Sequence, residues 1–529
     1  MTDIIQNEII QFASELPESI RIDESKNEQD MYGVLSFNVP SHETTTLPIF
    51  YDIMVDVSGS MSDKLCDGRT KMQLIIHTLT NILHHFAENT QNSHIQITGF
   101  DDSIHSYIKR TVVTPDNVES LISKLSTMRP MNMTNIELAI KTIADCVNAN
   151  ELPCKQQTVI FLTDGDATIG EHDPAKLSEL IPNSVSFHSI ALGKYHNSDI
   201  MYALGHRTPY TSNWFINELE HTGNVYGEIL FNETHRVLNS VVIHVNNGRI
   251  FNYSSGEFET YINIGNLSSE MNKQYHIISD TPSDCNVCIQ GIDARNGTHT
   301  EYHAIEMSSV IQSSCRHTDC DEFKTHFMKK QYMRFGVQKL MADLRLCSQL
   351  SDNRPRTAIS VFDNYEQLVS DVNDNRDELR KGFNQRAKNL RGSIIKYMDS
   401  NDLKEDSMLY GLVDDLNVII NTLTKKMNLK YAVAREESQG RQTAFNTVSE
   451  MQINIDDDDI SLLDIRPPRL RREPTSAYAT PGRIDLMREM SNGENGEYDN
   501  YLRAPPPAIV SPFRDEESQL DAFPSLNSP

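Results

Sequence analysis

A doubly wound α/β domain with a mostly parallel sheet is the fold class this sequence predicts for its first half. Short apolar runs recur at 49–57, 95–100, 158–163 and 185–193. Between them lie stretches of about 10 to 15 residues with apolar side chains at helical spacing, the alternation of a parallel sheet covered on both faces. Two of the runs end in an aspartate, Asp56 and Asp164. In such sheets ligands sit beyond the carboxyl ends of the strands, so both acids are expected in one crevice.

The elements follow in order. Residues 1–30 read as an N-terminal segment, partly helical or disordered, and "MYGVLSFNVPS" (31–41) as a strand. "IFYDIMVDV" (49–57) is a buried strand, and Met72, Ile75, Ile76, Leu79, Ile82, Leu83 and Phe86 after it share one helical face. "IQITGF" (95–100) is the next strand, with "IHSYIKRTVV" close behind. A helix is expected around 116–127, and another where Ile136, Ala139, Ile140, Ile143 and Val147 line up. "TVIFLTDG" and "VSFHSIALG" are strands; "SNWFINELEHTG" reads as helix and "NVYGEI" as a last strand.

Beyond residue 235 the period shortens. Runs such as "VVIHVNNGRIFNY" are short strands broken by Asn-Gly turns, so 235–312 is expected to be an antiparallel β domain. Residues 31–46 have the same character and are expected to pair with it, making 48–230 an insertion. Residues 320–435 return to helix, with Leu409, Leu412, Val413, Leu416, Ile420, Leu423 and Met427 at helical spacing. From 440 to 529 charge, Pro and Ser replace apolar periodicity, as in "IDDDDISLLDIRPPRLRREP", and a disordered tail is expected.

Composition narrows the function. The formal charge of −26 disfavours nucleic acid and anionic membranes as general partners. No apolar run is long enough to span a bilayer, and the first residues lack a basic segment followed by an apolar one. Eight scattered cysteines suit reduced thiols. An intracellular, cytoplasmic address is therefore expected.

The chemistry concentrates in "VDVSGSMSDK" (55–64). Asp56, Ser58 and Ser60 lie on the loop leaving the first strand, Thr134 begins a helix, and Asp164 ends a further strand. All five offer oxygen, and none offers sulfur or imidazole. Such hard donors suit Mg²⁺ first, then Mn²⁺ or Ca²⁺. Three neutral hydroxyls leave the ion under-neutralised and one position open to an outside acid. Each residue also has a structural reading. Ser58 and Ser60 can shape a turn, Thr134 with Glu137 can form a capping box, and Asp164-Gly165 is a common turn.

Together "YDIMVDVSGSM", "MNMTNIELAI" and "VIFLTDGDAT" resemble the von Willebrand factor A domain with its metal-ion-dependent adhesion site, over roughly 48–230. The resemblance places the five metal-site positions on Asp56, Ser58, Ser60, Thr134 and Asp164. It implies a non-enzymatic module whose ion takes an Asp or Glu of a protein partner. Where the family usually carries two glycines, this chain has Asn132 and Met133. The order strand, A domain, β region, helices is also similar to intracellular members in which an intein-associated type of β region follows the A domain. The RING finger or Hint domain of some relatives is not visible.

Rival readings are an enzyme and a metal-free scaffold. A magnesium phosphatase of the haloacid-dehalogenase kind needs an acid two residues after its catalytic Asp; here that position is Ser58. A serine hydrolase would need the G-x-S-x-G elbow, which "VSGSM" lacks. Cys285, Cys288, Cys315, His317 and Cys320 carry zinc-type donors. Yet Cys285 and Cys288 fall in an expected strand, where i and i+3 face opposite ways.

Overall fold

The computed structural model describes residues 4–12, 31–42, 48–65, 68–89, 93–149, 156–193, 196–217, 222–306, 317–351, 376–403, 406–422, 428–445 and 477–492. The chain opens with β1 (Gln6–Phe12) and β2 (Met31–Val39), which belong to a sheet completed far downstream. A strand thus stands where the N-terminal segment was expected to be helical or disordered.

The α/β part begins with β3 (Ile49–Asp56) and α1 (Lys71–Asn89), then the hairpin β4 (His94–Phe100) and β5 (Ile104–Val112). Next come α2 (Val118–Leu125), α3 (Ile136–Asn148), β6 (Gln156–Thr163), α4 (Pro174–Glu179), β7 (Ser186–Leu192), α5 (Ser198–Gly205), β8 (Thr211–Ile216) and α6 (Thr222–Thr234). The sheet order is β5-β4-β3-β6-β7-β8, parallel except for β5 at one edge. Every residue of β3 is buried, because helices cover both faces. Ile53, Val55, Ile160 and Leu162 face α1, α2 and α6. Met54, Val159 and Phe161 face α3, α4 and α5. Chain order reverses on either side of β3, so the switch point lies between β3 and β6.

Two expected elements differ. Residues 212–216, read as the start of a helix, belong to the last parallel strand, β8, all of it buried. Residues 224–229, read as a strand, lie inside α6. Nearly every residue of α6 is buried, so it has no polar face and no amphipathic period to read.

The antiparallel part comprises β9 (Arg236–Asn246), β10 (Arg249–Asn252), β11 (Glu257–Glu259), β12 (Tyr261–Ser268), β13 (Met271–Ser279), β14 (Asn286–Asp293), β15 (His299–His303) and β16 (Ile305–Glu306). Two sheets form, β11-β10-β13-β2-β1-β16 and β12-β9-β14-β15. Residues Met31 to Val39 pair with Ser279 to Met271 along the full length of β2. Leu35, Phe37 and Val39 face the apolar side of the smaller sheet, including Ile243, Val287 and Ile289. On its other face Tyr32 and Val34 meet the helices α7 (His317–Ser351), α8 (Arg376–Ser400), α9 (Ser407–Thr422) and α10 (Asn428–Arg441). Among the described residues no helix is long and apolar enough to cross a membrane.

A last helix, α11 (Pro481–Met490), stands inside the stretch expected to be a disordered tail. Leu486, Met487 and Met490 join the core beside α1 and α6. Arg483 donates to Ser268 Oγ at 3.0 Å, to Asn232 Oδ1 at 3.2 Å and to the Glu270 carbonyl at 3.2 Å. Close approach is possible because α6 presents glycine. A Cβ at Gly227 would lie 2.5 Å from Met487 Cα, and one at Gly223 would lie 2.4 Å from the Met490 carbonyl carbon. The tail residues 446–476 and 493–529 lie outside those described.

Two expectations follow. Gly227→Ala should loosen α11 at a cost of about 1–3 kcal/mol, read as faster amide exchange over 484–490 with exchange in β3 unchanged; unchanged exchange in α11 would refute it. Asp52 is the second. It is buried on the α3 face and, among the described residues, accepts only from Gln96 Nε2 at 3.3 Å and has no hydrogen-bond partner for Oδ2. Burial pushes its carboxyl up to about 7. The folded state therefore keeps a proton that the unfolded chain releases near pH 4, and stability from this group falls as pH rises from about 4 to about 7. Asp52→Asn should remove that slope and add roughly 2–4 kcal/mol at pH 8; urea unfolding with the same pH dependence in both proteins would sink the idea.

Candidate metal site

The site is assembled at the switch point by neighbouring strand ends. Val55 pairs with Leu162 across β3 and β6, which brings Asp56 beside Thr163. Thr163 Oγ1 donates to Asp56 Oδ2 at 2.6 Å, and the backbone N–H of Ser58 donates to Asp56 Oδ1 at 2.8 Å. Asp56 is fully buried. Burial first, and then the charge of Asp164, push its carboxyl up to about 6.

Beyond β3 the chain makes a single 3₁₀ turn, Gly59–Ser62. Ser58 precedes that turn without capping it through its side chain. Its hydroxyl lies 3.1 Å from Ser60 Oγ, and Ser60 Oγ donates to Asp164 Oδ1 at 2.7 Å. These serines do more than shape a turn: their hydroxyls run in a chain to a fully buried carboxylate. Thr134 reaches the same place from the start of α3. The cap of α3 is Asn135, whose Oδ1 accepts from Leu138 N at 2.9 Å. The alternative reading of Thr134 as the head of a capping box is ruled out for that reason, and its hydroxyl is not consumed in one. Its backbone is tied to the other loop, with Thr134 N donating to Thr168 Oγ1 at 2.7 Å and Thr168 N to Thr134 O at 2.9 Å. Between the loops sits Gly165. A Cβ there would lie 3.7 Å from Ser60 Oγ and 3.9 Å from Thr134 Oγ1.

Residues 53–167 match the family described as von Willebrand factor type A domain. The chain contains a von Willebrand factor type A domain. Curated relatives similar to it include inter-alpha-trypsin inhibitor heavy chain H3 of Homo sapiens, 28% identical over 137 residues, and of Rattus norvegicus, 30% identical over 138. Each match covers 25% of this chain and 14% of the relative. Among solved structures, the ArnB paralog VWA2 from Sulfolobus acidocaldarius is 13% identical with a TM-score of 0.43, covering 78% of this chain and 94% of that one.

In this A domain the loop before Thr134 departs from the glycine pair of the resemblance. Asn132 sits at φ +52°, a left-handed conformation that Asn tolerates better than most residues. Its carbonyl accepts from Gly59 N at 3.1 Å, and its amide donates to Asp101 Oδ2 at 3.1 Å. Asp101 is buried and also holds Ser103 and His105. Asparagine thus supplies the glycine-like turn and pins it to the end of β4.

Sequence reasoning missed Lys71, the first residue of α1. Its ammonium donates to Asp164 Oδ2 at 2.6 Å and to Asp63 Oδ2 at 3.3 Å, and its side chain is 3% exposed. Burial lowers its pKa, but the contacts with Asp164 and Asp63 outweigh that and leave it raised. The only available signal was a basic residue heading an otherwise apolar helical face. A cavity of about 1350 Å³ lies elsewhere, lined by His188, Trp214, Lys273, Arg334 and Arg441 among others and by none of the five site residues.

Lys71→Met should leave Asp164 buried without its ammonium and cost about 3–5 kcal/mol in metal-free solution. Lys71→Met/Asp164→Asn should recover much of that loss in chemical unfolding, and an unrecovered double variant would argue against the pairing.

Proposed function

We propose that the A domain is a non-enzymatic protein-binding module in which Asp56, Ser58, Ser60, Thr134 and Asp164 hold a divalent cation, Mg²⁺ before Mn²⁺ or Ca²⁺. Held there, the ion would leave a coordination position for an Asp or Glu of a partner protein. The observation that carries the reading is the convergence of oxygens: Ser58 Oγ, Ser60 Oγ and Asp164 Oδ1 linked at 3.1 and 2.7 Å beside buried Asp56. The donor set fits a hard ion, being two carboxylates and three hydroxyls without sulfur or nitrogen.

Charge supports the same reading. Buried Asp56 and Asp164 stand against one ammonium, Lys71, which Asp164 shares with the half-exposed Asp63, so the ionised site has at least one negative charge in excess. A divalent ion would offset that excess and offer a coordination position to an acidic side chain. The ion supplies electrostatic attraction and a coordination position; the protein residues orient it. Nothing at Ser58 can serve as the general acid a phosphotransferase needs.

We read the β region after the A domain as the intein-associated type, and place the protein inside the cell. Free thiols at Cys146, Cys285 and Cys288 fit a reducing compartment.

Thermal unfolding tests the ion. Mg²⁺ at about 100 times its Kd should stabilise the native state by about 2.7 kcal/mol, and Ser58→Ala/Ser60→Ala should abolish the shift. Partners captured from extract should be released by EDTA and missed by the double variant. Capture that survives both treatments would overturn the proposal.

A further inference from the structure

A second set of donors lies on a different sheet from the A-domain site, the four-stranded β12-β9-β14-β15. Cys288 pairs directly with His303 on β15 and with His244 on β9. His244 in turn pairs with Tyr261 on β12. Directly paired residues on antiparallel strands project to the same face. A row therefore crosses all four strands: Tyr261, His244, Cys288, His303.

The face is the outer one. Val287 and Ile289 are buried against the other sheet, while Cys288 and Gln290 between and beside them are half-buried on the opposite side. Glu301, two residues before His303 on β15, shares that outer face and accepts from Gln290 Nε2 at 3.0 Å. One ligand atom each from Cys288, Glu301 and His303 lies within 4.8 Å of the others.

We propose that Cys288, Glu301 and His303 bind a zinc-class divalent cation on this face, with His244 as the fourth donor. Thiolate, imidazole and carboxylate are the donors zinc takes, and spacings below 4.8 Å suit ligands around one tetrahedral ion. His244 stands next to Cys288 on the side away from His303 and stacks on Tyr261 with centroids 5.8 Å apart. Binding converts the Cys288 thiol to a thiolate, its proton passing to solvent. Without a cation, burial and then the Glu301 carboxylate both raise that thiol's pKa; a cation between sulfur and carboxylate turns their repulsion into shared attraction.

This site is not the one a C-x-x-C spacing suggests. Cys285 packs against the interior of the β domain, and Cys288 faces out. Cys315 lies outside the described residues, as do the side chains of His317 and Cys320. The partners of Cys288 come from neighbouring strands. The donors also differ in kind from the all-oxygen set of the A domain, so the two sites are chemically separable.

Cobalt(II), a spectroscopic stand-in for zinc, provides the test on the full chain. The wild type should develop a thiolate-to-cobalt charge-transfer band in the near ultraviolet that zinc bleaches. Cys288→Ser should abolish the band, and His303→Ala should weaken cobalt affinity by about tenfold or more. Cys285→Ser and Ser58→Ala/Ser60→Ala should leave it intact, so that failure here is distinct from failure of the A-domain site. Circular dichroism checks that each variant is folded. No band in the wild type, or a band that survives Cys288→Ser or vanishes with Cys285→Ser, would overturn the assignment.

Discussion

Two carboxylates buried in one crevice are the constraint around which the A domain is arranged. Asp56 and Asp164 close adjacent parallel strands at the point where the chain leaves the sheet in opposite directions. Neither acid can be hydrated there, so each must be met by protein donors or by a cation. The surrounding loops are organised to do this: Thr163 and the Ser58 amide hold Asp56, while Ser60 and Lys71 hold Asp164. The hydroxyls of Ser58 and Ser60, joined to one another, connect the two groups. Lys71 is the compensating charge beside Asp164, and one ammonium does not neutralise both buried carboxylates.

The rest of the molecule supports this crevice from below. The sheet that bears it has a covered face on each side, and one cover is α6, a helix buried almost all round. Such a helix needs neighbours everywhere. They come from α1, from α11, and from the short segment after α10, where Ala444 N and Phe445 N donate to the buried Glu228 carboxylate at 2.8 and 2.6 Å. Residues far apart in the chain thus close the domain core, and β2 before the A domain pairs with β13 after it. The A domain is held at both of its ends by the β region and the helices.

Two donor chemistries are kept apart in this arrangement. At the parallel sheet, hydroxyls and carboxylates gather where loops leave strand ends. On the antiparallel sheet, sulfur and imidazole meet because register aligns them across strands. Hard and soft cations differ in their preference for these sets, and the two sets share no residue.

The period of the apolar runs, the acid at two strand ends and the D-x-S-x-S spacing were enough to name the α/β class and to nominate five oxygen donors, since strand burial and loop chemistry are local properties written into neighbouring residues. The misread strand β8 and helix α6 show where that stops: a fully buried element has no polar face, so neither the 2.0 nor the 3.6 period survives to tell them apart. Lys71 was invisible for a related reason, because a lysine beginning a helix normally points to water and only the approach of Asp164 makes it internal. The Cys288 row and the seat of α11 depend on register and on glycine contacts between segments distant in sequence. Local pattern determined which side chains bear chemistry; tertiary packing decided which of them meet, because proximity across strands and helices is set by the whole chain's burial and not by its neighbours in sequence.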